Sequence, residues 1–302
     1  MYFCGGIIKK KITMKRYLFL LSVILCICCS SCKKEKLAIA GCGWQEIAIV
    51  DKKNGIIEWR HALDKDEECN DIEVMPDGSI LYAYSKGAKL ITRNHEAIWD
   101  YKAKENEEIH SATRLDNGGF MIAVCGEPAR IVELDKDGKQ TKEIPFYTVT
   151  LDVNKQFRHI AQISDGSYII PLIEKRKIIQ LSSDGRNKGS LYIGSELTSV
   201  KAIDGDKVLV SCGKDGRFME LNPSLRIDSA IITSSIKGGS LLYVAEIFPY
   251  KNGNKLIANS NMYSDDKSQP LLIEIDPNNE IVWKLSFNKE IKNITSVYSF
   301  FE

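Results

Sequence analysis

Five times along the chain, a turn with Asp or Asn beside or near Gly is followed by a short apolar segment. The turn glycines are Gly78, Gly118, Gly166, Gly205 and Gly253, and successive glycines are 40, 48, 39 and 48 residues apart. Asp and Asn beside Gly tolerate the positive φ of tight turns, so each copy predicts two antiparallel strands joined by a hairpin. Short strands repeated at this period are typical of a β-propeller, in which every repeat folds as one four-stranded blade.

One repeat shows the predicted strand order most clearly. Residues 109–115 alternate as a half-buried strand, 116–124 contain the turn and a second strand, and 129–135 form a third strand that ends in a turn former. The fourth strand is clearest at 97–101 and 281–285 in other repeats. We label these strands A to D, with A innermost.

The two ends of the chain complete each other. Residues 35–59 contain the patterns of strands B, C and D without a preceding A, and residues 293–301 contain a strand A without a following turn. Joining them closes the ring and leaves no unpaired sheet edge. The sequence therefore predicts an all-β, six-bladed β-propeller. Its closing blade is built from C-terminal strand A and N-terminal strands B, C and D, in a single domain over residues 37–302.

The N-terminal segment is predicted to lie outside this domain. A basic start at Met14, an apolar run over 17–29 and the small residues before Cys32 resemble a bacterial lipoprotein signal peptide, with Cys32 as the acylated residue. We expect residues 1–31 to be an upstream extension and signal peptide, residues 32–36 a short tether, and the location an outer-membrane lipoprotein facing the periplasm or the cell surface. The alternative is an uncleaved anchor, although the apolar run is shorter than the roughly 20 residues that a span needs.

Charge and cysteine content exclude several classes of function. Residues 1–31 hold 5 of the 41 basic residues and no acid, which leaves 36 basic against 40 acidic residues. This balance does not favour nucleic-acid binding. Cys42, Cys125 and Cys212 occupy one repeat position in blades that are not neighbours, so we expect buried packing residues, with no disulfide framework and no metal cluster. We expect a monomer that touches the membrane only through its N-terminal lipid.

Two segments resemble known propeller families. Asp51 to Trp59 matches the Asp-x-x-Thr-Gly-x-x-x-Trp pattern of PQQ-like repeats, with Asn54 in place of Thr, and residues 109–123 resemble arylsulfotransferase-like relatives. The resemblance implies the propeller fold. It implies no PQQ and no other cofactor, since quinoprotein dehydrogenases have eight blades and a vicinal cysteine pair in the mature domain. It also implies that Trp59, Trp99 and Trp283 pack between blades. The propeller lipoprotein of outer-membrane barrel assembly is a cofactor-free relative that serves as a scaffold.

Polar side chains at the starts of the A strands are the first candidate site. Asn70, His110 and the pair Arg158-His159 fall near the same repeat position, where loops are expected to meet around the central channel. Arylsulfotransferase-like enzymes resemble this in having a channel-facing histidine nucleophile, and His110 is the matching residue. The alternative is a hydrogen-bonded structural histidine, so we assign no catalytic residue in the leading hypothesis.

Four cations form the second candidate site. Lys89, Arg130, Lys177 and Arg217 are predicted to begin strand C in four consecutive blades. A partial ring of cations at the channel mouth would collect anionic ligands. The alternative is structural pairing with loop acids such as Glu127, Glu174 or Asp215.

Two classes of function follow from these patterns. The leading hypothesis is a lipid-anchored cell-envelope propeller that binds or scaffolds a protein or an anionic glycan without catalysis. The competing hypothesis is an envelope enzyme, a group transferase or hydrolase on an anionic substrate, that uses His110 or His159. An enzyme needs several polar groups converging on one pocket, whereas a scaffold does not.

Overall fold

The computed structural model describes residues 33–65, 67–203, 206–260, 268–286, 289–291 and 293–302. The predicted leader 1–31, the acylation candidate Cys32 and the turn glycine Gly205 lie outside the described residues. The described part contains two short 3-10 turns, Val153–Lys155 and Thr233–Ser235. No helix found there is long and apolar enough to cross a membrane.

The chain forms six antiparallel four-stranded sheets arranged as the blades of a propeller, as predicted. Blade 1 contains β4 (Cys69–Val74), β5 (Ile80–Tyr84), β6 (Gly87–Ile91) and β7 (Ala97–Lys102). Blade 2 contains β8 (Glu108–Arg114), β9 (Phe120–Cys125), β10 (Ala129–Leu134) and β11 (Gln140–Phe146). Blade 3 contains β12 (Ala161–Gln162), β13 (Tyr168–Leu172), β14 (Lys177–Leu181) and β15 (Asn187–Tyr192).

The second half of the chain repeats this order and then closes the ring. Blade 4 contains β16 (Ser199–Ile203), β17 (Lys207–Cys212), β18 (Arg217–Leu221) and β19 (Ile227–Ile232). Blade 5 contains β20 (Val244–Pro249), β21 (Lys255–Asn259), β22 (Leu272–Ile275) and β23 (Ile281–Leu285). Blade 6 contains β24 (Ser296–Phe301), β1 (Glu35–Ala40), β2 (Glu46–Asp51) and β3 (Ile57–Ala62).

Blade 6 joins the two ends of the chain in one sheet. Strand β24 pairs with β1 over six residues, from Glu35 opposite Phe301 to Ala40 opposite Ser296. This is the predicted closure of C-terminal strand A on N-terminal strands B, C and D. Strand β1 begins at Glu35, so the last residues of the predicted tether 32–36 already belong to the sheet.

The repeated Asp/Asn-Gly turns form as their chemistry predicts. In the first, Gly78 has φ +86° and donates its N–H to Met75, while Asp77 Oδ1 accepts the N–H of Ser79 at 3.0 Å. The same side-chain-to-backbone hydrogen bond recurs at Asn117, Asp165 and Asn252. An acidic or amide side chain in this place satisfies a backbone donor that the turn leaves free, and Gly provides the left-handed conformation.

The hydrophobic core lies between adjacent blades rather than at a single centre. One cluster joins Leu81 and Ala83 of blade 1 to Ile109, Ile122 and Val124 of blade 2, and similar clusters join other neighbouring blades. The four described cysteines, Cys42, Cys69, Cys125 and Cys212, are free thiols.

Three D-strand tryptophans dock onto the C–D turn of the next blade. Trp59 Nε1 donates to Arg93 O at 2.9 Å, and Trp283 Nε1 donates to Lys52 O at 3.1 Å. Trp99 packs against Gly138, where an added Cβ would lie 2.7 Å from the indole ring. These contacts place the tryptophans between blades, where they fix the angle of one blade against its neighbour.

Candidate functional site: the channel mouth

The two ends of the central channel differ in what lines them. We call the end where the A strands begin the mouth face, and the opposite end, which carries the A–B and C–D turns, the turn face. A cavity of about 700 Å³ opens on the mouth face, and one of about 730 Å³ opens on the turn face. Both are within the size range of small-molecule sites.

All six blades contribute to the mouth cavity at or near the start of strand A. The contributing residues, in blade order from 1 to 6, are Asn70, His110, His159, Thr198, Ala245 and Thr295. In blades 1, 2 and 5 the A–B register skips one residue, which leaves Asn70, His110 and Ala245 as bulged positions. A bulge changes the direction of a side chain at the end of a strand, so this irregularity helps to shape the cavity wall.

His110 lies in this wall without a hydrogen bond among the described residues. Its side chain is buried, and neither ring nitrogen has a partner in hydrogen-bond geometry. Glu108 Oε2 is 3.1 Å from Nε2, so the two groups touch although the contact is poorly directed for an N–H donor. Burial lowers the pKa of His110 to about 4, so its imidazole is neutral at pH 7.

Two arginines in the mouth cavity have no carboxylate partner in the described part of the chain. Arg158 Nη1 donates only to Phe157 O at 3.2 Å, and Arg176 Nη1 makes one long contact of 3.5 Å to Gly194 O. Arg176 holds a φ of +50°, a conformation that is uncommon outside glycine. Lys155, in contrast, pairs with Asp152 at 3.0 Å.

A buried charged network separates the two cavities. Glu246 is completely buried, and its Oε1 accepts from His159 Nδ1 at 3.0 Å and from Lys201 Nζ at 2.7 Å. Its Oε2 accepts the N–H of Val297 at 2.8 Å. Because His159 lines the mouth cavity and Lys201 lines the turn-face cavity, one carboxylate holds a cation on each side of the septum.

Every blade takes part in this septum. Asp71 of blade 1 accepts from Ser111 Oγ of blade 2 at 3.1 Å and lies 3.7 Å from Lys201 of blade 4. Ser296 Oγ of blade 6 accepts the N–H of Ile72 at 3.2 Å. His159 and Glu246 provide the contributions of blades 3 and 5, so the axial charges connect the whole ring. We call Asp71, His159, Lys201 and Glu246 the axial network.

The hydrogen bonds of His159 require a doubly protonated ring. Its Nδ1 faces the carboxylate of Glu246 and its Nε2 faces the backbone oxygen of Asn70 at 2.7 Å. Both partners are acceptors, so both nitrogens carry a proton. Burial alone lowers the pKa of His159, but the carboxylates of Asp71 and Glu246 outweigh it and raise the pKa above its usual value.

The ligand atoms of Asp71, His159 and Glu246 lie within 4.8 Å of one another, a spacing that a metal ion would accept. Lys201 Nζ, however, already contacts both carboxylates. The ammonium group thus supplies the positive charge that a metal ion would otherwise bring to these acids.

The strand-C cations lie away from the mouth cavity. None of Lys89, Arg130, Lys177 and Arg217 lines it, whereas Asn70, His110, Arg158 and His159 do. Arg130 is buried and makes a two-point pair with Glu107, with Nη2 donating to Oε2 at 2.8 Å, and Lys89 pairs with Glu67 at 2.8 Å. Glu107 and Glu67 come from the loops that enter strand A. Of the predicted partners Glu127, Glu174 and Asp215, only Asp215 forms a described ion pair with one of these cations, 3.8 Å from Arg217.

Lys89 does not occupy the repeat position predicted for it. Arg130, Lys177 and Arg217 each lie four residues before the leucine that ends strand C, whereas Lys89 lies two residues before Ile91. Only Ser85 and Lys86 separate strands B and C in blade 1, so strand C begins earlier, at Gly87. The prediction of Lys89 at the start of strand C is therefore wrong, because the hairpin length differs between blades.

We expect Arg130→Ala and Lys177→Ala to have different effects on stability. Removing Arg130 leaves the buried carboxylate of Glu107 without its cation, and we expect a loss of about 3 kcal/mol in the free energy of unfolding. Lys177 has no ion pair in the described residues, so Lys177→Ala should leave the unfolding curve nearly unchanged. Urea unfolding of both variants measures the difference, and equal losses would contradict it.

Sequence reasoning missed Arg176 and three members of the axial network. Asp71, Lys201 and Glu246 lie in strand-A patterns that contain several apolar residues, at 69–75, 197–203 and 242–248. A single charge inside such a strand was a usable signal, because a buried charge requires a partner. Which strands would supply the partners depended on the ring.

Comparison with known proteins supports the propeller assignment. The profile of the Mal s 1 allergenic protein-like family matches residues 43–280. The chain belongs to this family. This match supports a β-propeller family. It does not support the more specific assignment to PQQ-like or arylsulfotransferase-like repeats. A search of curated proteins finds no match.

Solved structures place the family fold among other propellers. A protein of unknown function from Bacteroides caccae is 31% identical, with a TM-score of 0.85, and the match covers 88% of this chain and 99% of that one. The virginiamycin B lyase of Staphylococcus aureus is 12% identical, with a TM-score of 0.60 and coverage of 91% and 94%. The Pan2 WD40 domain of Neurospora crassa is 12% identical, with a TM-score of 0.54 and coverage of 72% and 66%. At 12% identity the last two indicate the fold alone.

Proposed function

We propose that this chain is a lipid-anchored cell-envelope propeller that binds an anionic glycan at its mouth. The observation that carries the proposal is the guanidinium of Arg158, which lines the mouth cavity and has no carboxylate partner in the described part of the chain. An arginine without a carboxylate partner presents planar donors that match a carboxylate or sulfate group. Lys155, which lines the same cavity, is already neutralised by Asp152, and Arg130, outside the cavity, is neutralised by Glu107.

Groups close to Arg158 offer further contacts to such a ligand. Arg176 and the exposed Lys175 lie on the neighbouring B–C loop of blade 3, and Arg176 lines the same cavity. The buried imidazole of His110 offers one donor and one acceptor that a ligand hydroxyl would satisfy. Tyr147 and Leu151, 82% and 70% exposed, lie on the adjacent D–A loop and add apolar contact area.

We expect a galacturonate trimer to bind more tightly than its fully methyl-esterified form, because esterification removes the carboxylate charge. Arg158→Gln should weaken binding of the acidic trimer about tenfold, the loss of roughly one charge-assisted hydrogen bond. Lys237→Gln is the matched control, since Lys237 is exposed and outside the cavity. Isothermal titration at two salt concentrations measures both effects, and affinity should fall as salt rises. Equal affinity for both trimers would contradict the proposal.

A second candidate function rests on His110. Its imidazole is neutral, lines the cavity and lies 3.1 Å from a carboxylate oxygen of Glu108, a combination that a histidine nucleophile needs. In an arylsulfotransferase-like reaction, the ring nitrogen would bond to the sulfur of an aryl sulfate as the S–O bond to the ring breaks and a phenolate leaves. An acceptor hydroxyl would then take the sulfuryl group from the nitrogen, and its proton would go to the phenolate. A histidine-to-alanine form of the virginiamycin B lyase is described as catalytically inactive and was solved with quinupristin.

The two candidates are separated by turnover. Release of p-nitrophenol from p-nitrophenyl sulfate in the presence of phenol, lost in His110→Gln, would support the enzyme. Binding of the acidic trimer without any turnover would support the binding module.

The internal repeats also suggest an origin for the fold. We infer that they are related to PQQ-like repeats, because two residues of the shared motif, Asp51 and Trp59, each make contacts that stabilise the blade or its packing. Asp51 Oδ1 accepts the N–H groups of Lys53 and Asn54, and Trp59 docks on the next blade.

A further inference from the structure

We propose that the propeller is seated on the membrane by the turn face of blade 6, so that its mouth faces away from the lipid. This orientation rests on the lipid anchor of the proposed function. It adds the surface that meets the membrane and the direction in which the binding site is presented.

The path of the chain carries the argument. Only Lys33 and Lys34 separate Cys32 from Glu35, where β1 begins. Three residue steps span at most about 10 Å, so an acylated Cys32 holds the first residue of β1 within that distance of the lipid surface.

The start of β1 lies at the turn face. Strand A of every blade begins at the mouth and ends at the A–B turn, and in blade 6 this end is Phe301, which pairs with Glu35. The backbone of Lys34 also exchanges two hydrogen bonds with Glu302, at 2.8 and 3.0 Å. The chain is therefore tied to the turn face up to two residues from Cys32. Strand β1 then runs roughly 20 Å from the turn face to the mouth. The tether is too short to let the mouth contact the membrane.

The surface around this entry point suits a membrane with anionic lipids. Ile56 and Phe301, 59% and 58% exposed, lie at this end of blade 6. Lys33, Lys34 and Lys53 are exposed close by in the sequence or in the adjoining C–D turn. Apolar side chains flanked by lysines insert into the headgroup layer while the ammonium groups bind anionic lipid.

The test compares two fluorescent labels on blade 5, one on the turn face and one on the mouth face. Asn252 is exposed in the A–B turn of blade 5, and Lys237 is exposed in the loop that enters strand A of that blade. Each is changed to Cys in the full-length acylated protein and labelled with an environment-sensitive fluorophore. Native thiols interfere little, because Cys69, Cys125 and Cys212 are buried and burial together with Glu68 raises the pKa of Cys42 to about 12.

The labelled protein is placed on vesicles of phosphatidylethanolamine and phosphatidylglycerol that carry nitroxide headgroups. We expect quenching at N252C to be at least threefold stronger than at K237C. A flexible Gly/Ser insert of twenty residues between Cys32 and Lys33 should reduce this difference, because the longer tether no longer holds the face down.

The outcomes separate the orientation from the anchor. Equal quenching at both labels, or stronger quenching at K237C, would overturn the orientation while the anchor stands. If Cys32→Ala is acylated and membrane-bound as the parent protein is, Cys32 is not the anchor, and the orientation falls together with the Cys32 anchor of the proposed function, while glycan binding is judged by the titration alone.

Discussion

Replacing Glu246 by Ala is expected to destabilise the propeller by about 3–5 kcal/mol, the usual cost of removing one partner from a buried ion pair. The variant leaves Lys201 and the imidazolium of His159 close together without the carboxylate between them, and it frees the N–H of Val297. Because these groups belong to four different blades, the damage reaches the whole ring. Urea unfolding followed by circular dichroism measures the loss.

Two controls make the Glu246 result specific. Asp228 forms an exposed pair with Lys207 at 2.9 Å, and Asp228→Ala should change stability little. Glu246→Gln keeps the size of the side chain and an acceptor for Val297, so its loss should be smaller than that of Glu246→Ala. A Glu246→Ala variant as stable as Asp228→Ala would show that the axial network does not hold the ring.

The same network is expected to make stability depend on pH. The pKa of His159 is raised in the folded state, so its contribution is complete below the unfolded value of about 6.5 and is lost as pH rises through the folded value. Burial raises the pKa of Glu246, but Lys201 and His159 outweigh this effect and lower it, so its contribution is complete above the unfolded value of 4.5 and is lost progressively as pH falls below that value. We expect the stability difference between the parent protein and His159→Gln to shrink as pH rises above 6.5. A difference that is constant with pH would contradict the assigned protonation of His159.

Deleting residues 293–302 is expected to abolish the cooperative fold. The deletion removes β24, the innermost strand of blade 6, and exposes the edge of β1 along its length. It also removes Ser296 and Val297 from the septum, and the backbone oxygen of Asn293 that accepts from Trp44 Nε1 at 2.7 Å. We expect no sigmoidal thermal transition and a shift to aggregates in size-exclusion chromatography.

A shorter truncation is the matched control for ring closure. Removing Glu302 alone deletes its two backbone hydrogen bonds with Lys34 and its salt bridge to Arg93 at 3.1 Å, but leaves all of β24. This variant should fold and melt close to the parent protein. Adding a peptide of residues 293–302 to the longer truncation should restore part of the transition. If the longer truncation melts as the parent does, blade 6 does not depend on β24.

Local residue patterns determined most of the architecture. The Asp/Asn-Gly turns, the alternating strands and the complementary ends predict six blades and the composite closing blade, because turn conformation and strand period depend on residues that are neighbours in sequence. The hairpin of blade 1 was the local exception, since Ser85 and Lys86 alone join its strands and this moved Lys89 out of the predicted position.

The candidate site was only partly predictable, because a shared repeat position can be read from the sequence whereas the partners of the side chains cannot. Asn70, His110, Arg158 and His159 were placed together because they share a repeat position, and the structure brings them into one cavity. Arg130, Lys177 and Arg217 share a position as well, but none of them lines the cavity, and Arg130 pairs with the loop acid Glu107 instead. Partner choice depends on which loop folds across which strand, and a repeat pattern does not contain that information.

The sequence by itself determined the six blades, their strand order and the closure of the ring, because turns and strands follow from short-range chemistry. Only the tertiary structure decided that Asp71, His159, Lys201 and Glu246 meet on the axis, and that Arg158 has no carboxylate partner among the residues that the structure describes. The four network residues are far apart in the chain, and each comes within 4 Å of another member only when the six blades pack around one axis. The charge state of His159 and the separation of the two cavities follow from that packing.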